Sequence, residues 1–342
     1  NGTATVYGAP SKLSLEIDHK TRHVELIGQA PPSALLTTII AKKFDIDIAG
    51  SIGGKIEYSG DLLMQEAKIG MTVDLGSTSI NVPELGWNKS LAEDGRVTLT
   101  ILRSKGKVAS LQKINLAVGS LSGIGQIEFG STDKVQEAFF ERAKWPDNDV
   151  RDLIIRRNSN ASWKVEGRAR VLTLLPILKN EGFTGGEPMI FDFIADRFVV
   201  DDKISLSGQL SGTRKRDGFG EANFRGTLFA DDEPLITEAN LEIGFGNGAE
   251  QISGSGLIGG GEVKFFFDRK IGSNPKMVVV SDNGGRVLSG LKVTDAIRGG
   301  QLRLSNIFKD KKYKFFDTKI ELAKFRIVEA PRALRAFSVL SL

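Results

Sequence analysis

Apolar and polar residues alternate along most of this chain with a period of two, which is the pattern of strands buried on one face only. Leu13, Leu15 and Ile17 alternate with Lys12, Ser14, Glu16 and Asp18, and Ile69, Met71, Val73 and Leu75 alternate with Lys68, Gly70, Thr72 and Asp74. The same rhythm runs through Val97, Leu99 and Ile101, then Ile114, Leu116 and Val118, then Ile204, Leu206 and Leu210, then Phe224 and Leu228. It returns in Leu241, Ile243 and Phe245, in Val263, Phe265 and Phe267, in Leu302 and Leu304, and in Ile320 and Leu322. Gly, Asn, Asp or Ser bound most of these segments, as turns between short strands require. Parallel strands would need intervening helices and near-continuous apolar runs, so the pattern predicts a mostly antiparallel β protein.

Few segments read as helix. Pro31-Pro32-Ser33 followed by Leu35, Leu36, Ile39 and Ile40 predicts one, and Val287 to Ile297, with a break near Leu291, predicts one or two short ones. Leu174 to Leu178 reads as a third short piece. After Pro331, suited to a first helical position, Leu334, Phe337 and Leu340 follow at helical spacing. The chain then stops without a capping signal, so it reads as cut at this end, and the lack of Met at position 1 places the natural N-terminus elsewhere. The stretch from Asp133 to Lys144 fits either period and is taken as strand. The Gly-rich gap Asn180 to Gly186 divides the chain into two parts, 1–182 and 183–342, read as one continuous sheet system.

The 342 residues include 39 glycines, above the average of about 7%, and these read as turn punctuation. The 46 basic and 42 acidic residues are interspersed, giving a net charge of +4. Their densest cluster, Arg214-Lys215-Arg216, reads as a solvated hairpin tip, and no nucleic-acid-binding motif accompanies it. No cysteine is present, which excludes disulfides and thiolate chemistry within these residues. No apolar run approaches the roughly 20 residues of a membrane-spanning helix.

Candidate chemistry is scarce, and no catalytic residue, metal ligand or cofactor site is predicted. Gly254-Ser255-Gly256-Leu257-Ile258-Gly259 matches G-x-G-x-x-G, yet the alternating Glu262-Val263-Lys264-Phe265 follows where a dinucleotide-binding unit needs a helix. His19 and His23 flank a charged turn without a third ligand in view. Asp201/Asp202 and Asp231/Asp232 sit in turn-like contexts. With 20 Phe but only 3 Trp and 3 Tyr, the aromatic set suits a fully apolar surface better than the interfacial girdles of a membrane barrel or a sugar-binding cleft. The alternating rows have two outcomes, a closed core between packed sheets or an open trough that an apolar ligand fills.

The last forty-odd residues carry a family resemblance. Gly299-Gly300-Gln301-Leu302-Arg303-Leu304, a strand, and then Phe325-Arg326-Ile327-Val328-Glu329-Ala330-Pro331 through Leu342 resemble the C-terminal region of AsmA-like envelope proteins of the YhdP type. Leu85-Gly86-Trp87-Asn88-Lys89, between strand-like segments, resembles the Leu-Gly-Trp-x-Lys turn of the same family. Glu329 stands where that family has Asp, and Ala169-Arg170 replaces its Leu-Asp. The resemblance implies an elongated, strongly curved antiparallel sheet whose concave face is a hydrophobic groove, with a few short helices. It also implies non-enzymatic transfer of phospholipid or other acyl lipid across the periplasm, with anchoring in the inner membrane through a segment outside these residues and possible envelope partners. The groove would be lined by Leu13, Leu15, Ile17, Ile69, Met71, Val73, Val97, Leu99, Ile101 and Leu116. Further along it would be lined by Ile204, Leu206, Phe224, Leu228, Leu241, Ile243, Phe245, Val263, Phe265, Phe267, Leu302, Leu304, Ile320 and Leu322, and then by Leu334 and Phe337. The alternative is a structural or interaction β-sandwich module of the envelope.

Overall fold

The computed structural model describes residues 2–6, 9–44, 47–63, 65–82, 87–130, 134–158, 162–174, 187–246, 249–270, 273–309 and 316–328. Most of these residues are in antiparallel strands, as the alternation predicts. They form two compact units, Asn1–Leu172 and Thr173–Leu342. The Gly-rich gap, most of the Leu174 to Leu178 segment and the helix predicted after Pro331 fall outside the described residues.

The first unit begins with β1 (Gly2–Val6), β2 (Ala9–Asp18) and β3 (His23–Ser33), followed by α1 (Ala34–Phe44) and β4 (Asp47–Gly50). Then come β5 (Ile52–Asp61), β6 (Ala67–Asp74), β7 (Thr78–Val82), β8 (Trp87–Lys89) and β9 (Gly95–Ser104). The unit closes with β10 (Lys107–Val118), β11 (Leu121–Phe129), β12 (Val135–Trp145), β13 (Asn148–Arg157) and β14 (Trp163–Thr173). The main sheet is a meander in which β1, β2, β3, β5, β6 and β9 to β14 pair antiparallel, each with the next. The stretch that fitted either period is strand β12.

A small sheet of β4, β7 and β8 closes one end of the main sheet's apolar face. Ile80 and Trp87 are buried there with Ile52, Leu75 and Val118, and Val73, Val97 and Leu116 pack against them. The Trp87 indole donates to Ser120 Oγ at 3.1 Å. Lys89 is almost wholly buried, and its ammonium donates to the carbonyls of Thr78 at 2.6 Å and Ser90 at 3.0 Å, which offsets the cost of removing its charge from water. The Trp-x-Lys element is therefore a plug in the fold. On α1, the Thr37 hydroxyl accepts from Ile52 N at 3.1 Å and ties the helix to β5.

The second unit contains β15 (Met189–Val199), β16 (Ile204–Arg214), β17 (Gly220–Ala230), β18 (Glu233–Gly246), β19 (Ala249–Ile258), β20 (Gly261–Arg269) and β21 (Lys276–Ser281). After α2 (Gly284–Gly290) come β22 (Ile297–Phe308) and β23 (Phe316–Ile327). These nine strands also pair antiparallel in sequence order.

The structure corrects three expectations. Many glycines lie inside strands, where Phe rings take the space a side chain would fill: a Cβ on Gly212 would meet Phe191 Cζ at 2.7 Å, and one on Gly220 would meet Phe245 Cζ at 2.3 Å. At such positions glycine gives a facing ring room to lie flat on the sheet. Secondly, α2 starts three residues before Val287, with the Asn283 side chain accepting from Arg286 N, and the chain is strand again from Ile297. Its glycines permit close approach: a Cβ on Gly284 would stand 2.8 Å from Leu302 Cβ. Thirdly, Arg214 is not at a solvated tip. Lys215 and Arg216 are exposed, but Arg214 is buried at the end of β16, and burial lowers the pKa of its guanidinium.

Candidate apolar ligand-binding face

Cross-strand partners in an antiparallel sheet share a face, so the register states which predicted rows meet. In the first unit, Leu15 faces Leu26, Leu26 faces Tyr58, Tyr58 faces Ile69, and Ile69 faces Ile101. The row continues from Ile101 to Leu111 and Ile127, then to Ala138, Ile155 and Val165. This single apolar row crosses ten strands in nine steps of about 4.8 Å. Met71 and Leu99 pair beside it, as do Val73, Val97 and Leu116, while Leu13 and Ile17 flank Leu15 on the same face of β2.

Most of this face is neither buried nor fully exposed. Leu13, Ile69, Met71, Val73, Val97, Leu99, Ile101 and Leu116 are all half-buried, Ile17 is exposed and Leu15 is 54% exposed. A closed core would hide such side chains almost completely. Large areas of this sheet face therefore stay in contact with solvent.

In the second unit the corresponding row runs Phe193, Leu210, Phe224, Leu241, Gly254, Phe265, Val279, Leu304, Ile320. Exposure rises along it. Phe224 is fully buried and meets Phe198 edge to face, with ring centroids 6.5 Å apart. Phe265 and Leu304 are half-buried, and Ile320 is 52% exposed. Among the other predicted lining residues, Ile204, Leu228, Ile243, Phe267 and Leu322 are half-buried on this face.

Six predicted lining residues do not face an open trough: Leu206, Phe224, Leu241, Phe245, Val263 and Leu302 are buried. The first four lie in the packed β16 to β18 region. Val263 and Leu302 lie where α2 covers the sheet, with Val287 and Leu288 buried against it. Leu334 and Phe337 fall outside the described residues.

Sequence reasoning missed Leu26, Tyr58, Leu111, Ile127, Ile155 and Val165 as lining positions, and Phe193, which is buried, as a core position. Leu26 and Phe193 belong to alternating runs, Val24/Leu26 and Phe191/Phe193/Ala195, that signalled them. Leu111 is out of step with Ile114 and Leu116 because β10 bulges at Lys113, where φ is +50°, and a bulge shifts the period-two count by one.

A cavity of about 1020 Å³ lies along β19 to β23, lined by Glu262, Lys264, Asp282, Arg303 and Glu321 and also by Leu257, Val263, Val280, Leu302 and Leu322. Its mixed lining lacks the unbroken apolar cover of the rows.

The polar motifs lie at turns. His19 and His23 flank the β2–β3 turn, where the Asp18 carboxylate accepts from Lys20 N at 2.8 Å and from Thr21 Oγ1 at 2.8 Å. His23 Nε2 lies 3.1 Å from Ser59 Oγ. Gly259 and Gly260 form the tight β19–β20 turn, with no helix after it. No group of three or more His, Asp or Glu among the described residues is placed to hold a metal ion, and no helix among them is long and apolar enough to cross a membrane. No protein-family model matches this chain, and no curated protein matches it.

Proposed function

We propose that the half-buried apolar face of the first unit shelters the acyl chains of phospholipid and passes them along without a chemical step, and that the open end of the second unit's row, taken by itself, offers the same kind of cover. The observation that carries this reading is the continuous ten-strand row from Leu15 to Val165, aliphatic or aromatic at every position and largely half-exposed. At about 0.8 kcal/mol for each CH₂ removed from water, a two-tailed lipid needs continuous apolar cover to cross an aqueous gap. Many shallow contacts give such cover without trapping the ligand. The resemblance of Gly299 to Leu304 and of Leu85 to Lys89 to AsmA-like envelope proteins supports the same reading, and with it a place in the periplasm between inner and outer membrane. Anchoring would come from a segment outside these residues, and no cofactor is invoked.

One observation favours a second reading for part of the chain. The wholly buried Phe198 and Phe224 make the β15 to β18 region a packed core, which fits a structural or interaction module there.

Photo-crosslinking separates the two faces. A benzophenone side chain at Met71, on the apolar row, is expected to capture acyl lipid in protein expressed in bacteria. The same group at Thr72, the next residue and on the opposite face, is expected to capture none. Equal capture at both positions, or none at Met71, would overturn the proposal.

A further inference from the structure

The face of the first unit opposite its apolar row carries an arginine ladder that the described residues around it neutralise only in part. Ile124 faces Arg142, Arg142 faces Arg151, and Arg151 faces Arg168, so three guanidinium groups stand on neighbouring strands directly across from one another. Like charges in that arrangement cost stability in an isolated sheet. Lys144 and Arg170 extend the cluster, and all five bases are exposed.

Asp149 organises one margin of the ladder. Its side chain is 4% exposed and accepts from Arg142 Nη2 at 3.1 Å and from Arg170 Nε at 3.3 Å. Burial raises the Asp149 pKa, but the two arginines outweigh that and hold its carboxyl below the usual range. Arg142 and Arg170 are thus fixed in direction. Arg151, Arg168 and Lys144 form no ion pair among the described residues, nor do the carboxylates of Glu141 and Asp152 on the neighbouring bulges. Counting those two and Asp149 against the five bases still leaves the patch positive. Further along the same strands, by contrast, Arg156 pairs with Glu137 and Lys164 with Glu166.

A cavity of about 340 Å³ opens beside the ladder, lined by Ser122, Gly123, Ile124, Arg142 and Lys144, and Ile124 is 49% exposed. Strands β12 and β13 are paired along both edges, so they offer no backbone edge to an extended peptide. The geometry points to this ladder as a docking surface for the phosphate headgroups of an anionic bilayer, with Ile124 entering the interface between them. Arginine suits the task because its planar fork grips phosphate oxygens in pairs. The choice of a membrane rests on the lipid-transfer reading; the anionic character of the partner does not.

The test is cosedimentation of the full chain with vesicles of phosphatidylcholine alone and of phosphatidylcholine mixed with phosphatidylglycerol. The wild type is expected to bind the mixed vesicles at low salt, to lose them as salt rises, and to ignore pure phosphatidylcholine. Arg151→Glu with Arg168→Glu is expected to weaken that binding roughly 30-fold or more, at the strength usual for basic groups near an anionic membrane. Retained binding in the double variant, indifference of the wild type to phosphatidylglycerol, or binding of polyglutamate in place of vesicles would each overturn the assignment. Bound acyl lipid measured in the same samples separates the two proposals: lipid kept while vesicle binding is lost supports both, whereas vesicle binding without any bound lipid overturns the transfer reading and leaves the docking surface standing.

Discussion

Ile69→Asp is expected to lower the acyl lipid that copurifies with the protein roughly 30-fold, while Ile27→Asp leaves it at the wild-type level. Ile69 faces Ile101 in the middle of the ten-strand row, and both are half-buried. A carboxylate there keeps its water and displaces two or three methylenes of any chain lying across it, which at about 0.8 kcal/mol each is about 2 kcal/mol. Ile27 is 48% exposed on β3 but faces Ser14, on the other side of the sheet. The two substitutions are chemically identical, so a difference between them reports the face and not the charge. Because neither site is a closed core, both variants are expected to fold with thermal midpoints within a few degrees of wild type. Equal lipid in Ile69→Asp and Ile27→Asp, measured by phosphorus content after extraction, would remove the row from the mechanism.

Phe224→Ala is expected to have the largest effect on stability, about 3–5 kcal/mol, the range for deleting a buried aromatic ring from a core that relaxes only in part. Phe224 is wholly buried, packs edge to face on Phe198, and its ring lies 2.9 Å from the place a Cβ on Gly226 would occupy. Gly226 and its partner Gly208 have φ of +156° and +144°, and a Cβ on either would fall about 2 Å from a carbonyl oxygen of the neighbouring strand (1.9 Å and 2.1 Å), so no side chain can grow in to refill the space. A fall of roughly 10 °C in thermal midpoint corresponds to that loss. A change below about 1 kcal/mol would mean that the β15 to β18 region is not the packed core described above.

Much of the strand pattern was legible because period-two alternation has few other causes. Leu13/Leu15/Ile17, Ile69/Met71/Val73 and Val97/Leu99/Ile101 all lie on strands and share one face, as their spacing requires. The helix after Pro32 and the harmless reading of the Gly254 to Gly259 motif followed from local chemistry alone. Less legible was anything that depends on what lies opposite. The bulge at Lys113 takes Leu111 out of step with its neighbours, and the pairing of strand glycines with Phe rings appears only when the register brings Gly212 under Phe191. Closure of the apolar face was hidden for the same reason. Val263 and Leu302 have the pattern of open-row residues, and only the approach of α2 through Gly284 and Gly285 buries them. The arginine ladder was equally silent, since Arg142, Arg151 and Arg168 stand far apart in a sequence whose charges look evenly mixed.

The central claim is that the half-exposed rows hold acyl chains, and native mass spectrometry of the purified wild-type chain, followed by lipid extraction, tests it most directly. Phospholipid bound in stoichiometric amount, released as the protein is unfolded, is the predicted result. A lipid-free protein, purified from cells rich in phospholipid and showing a single apo mass, would contradict it.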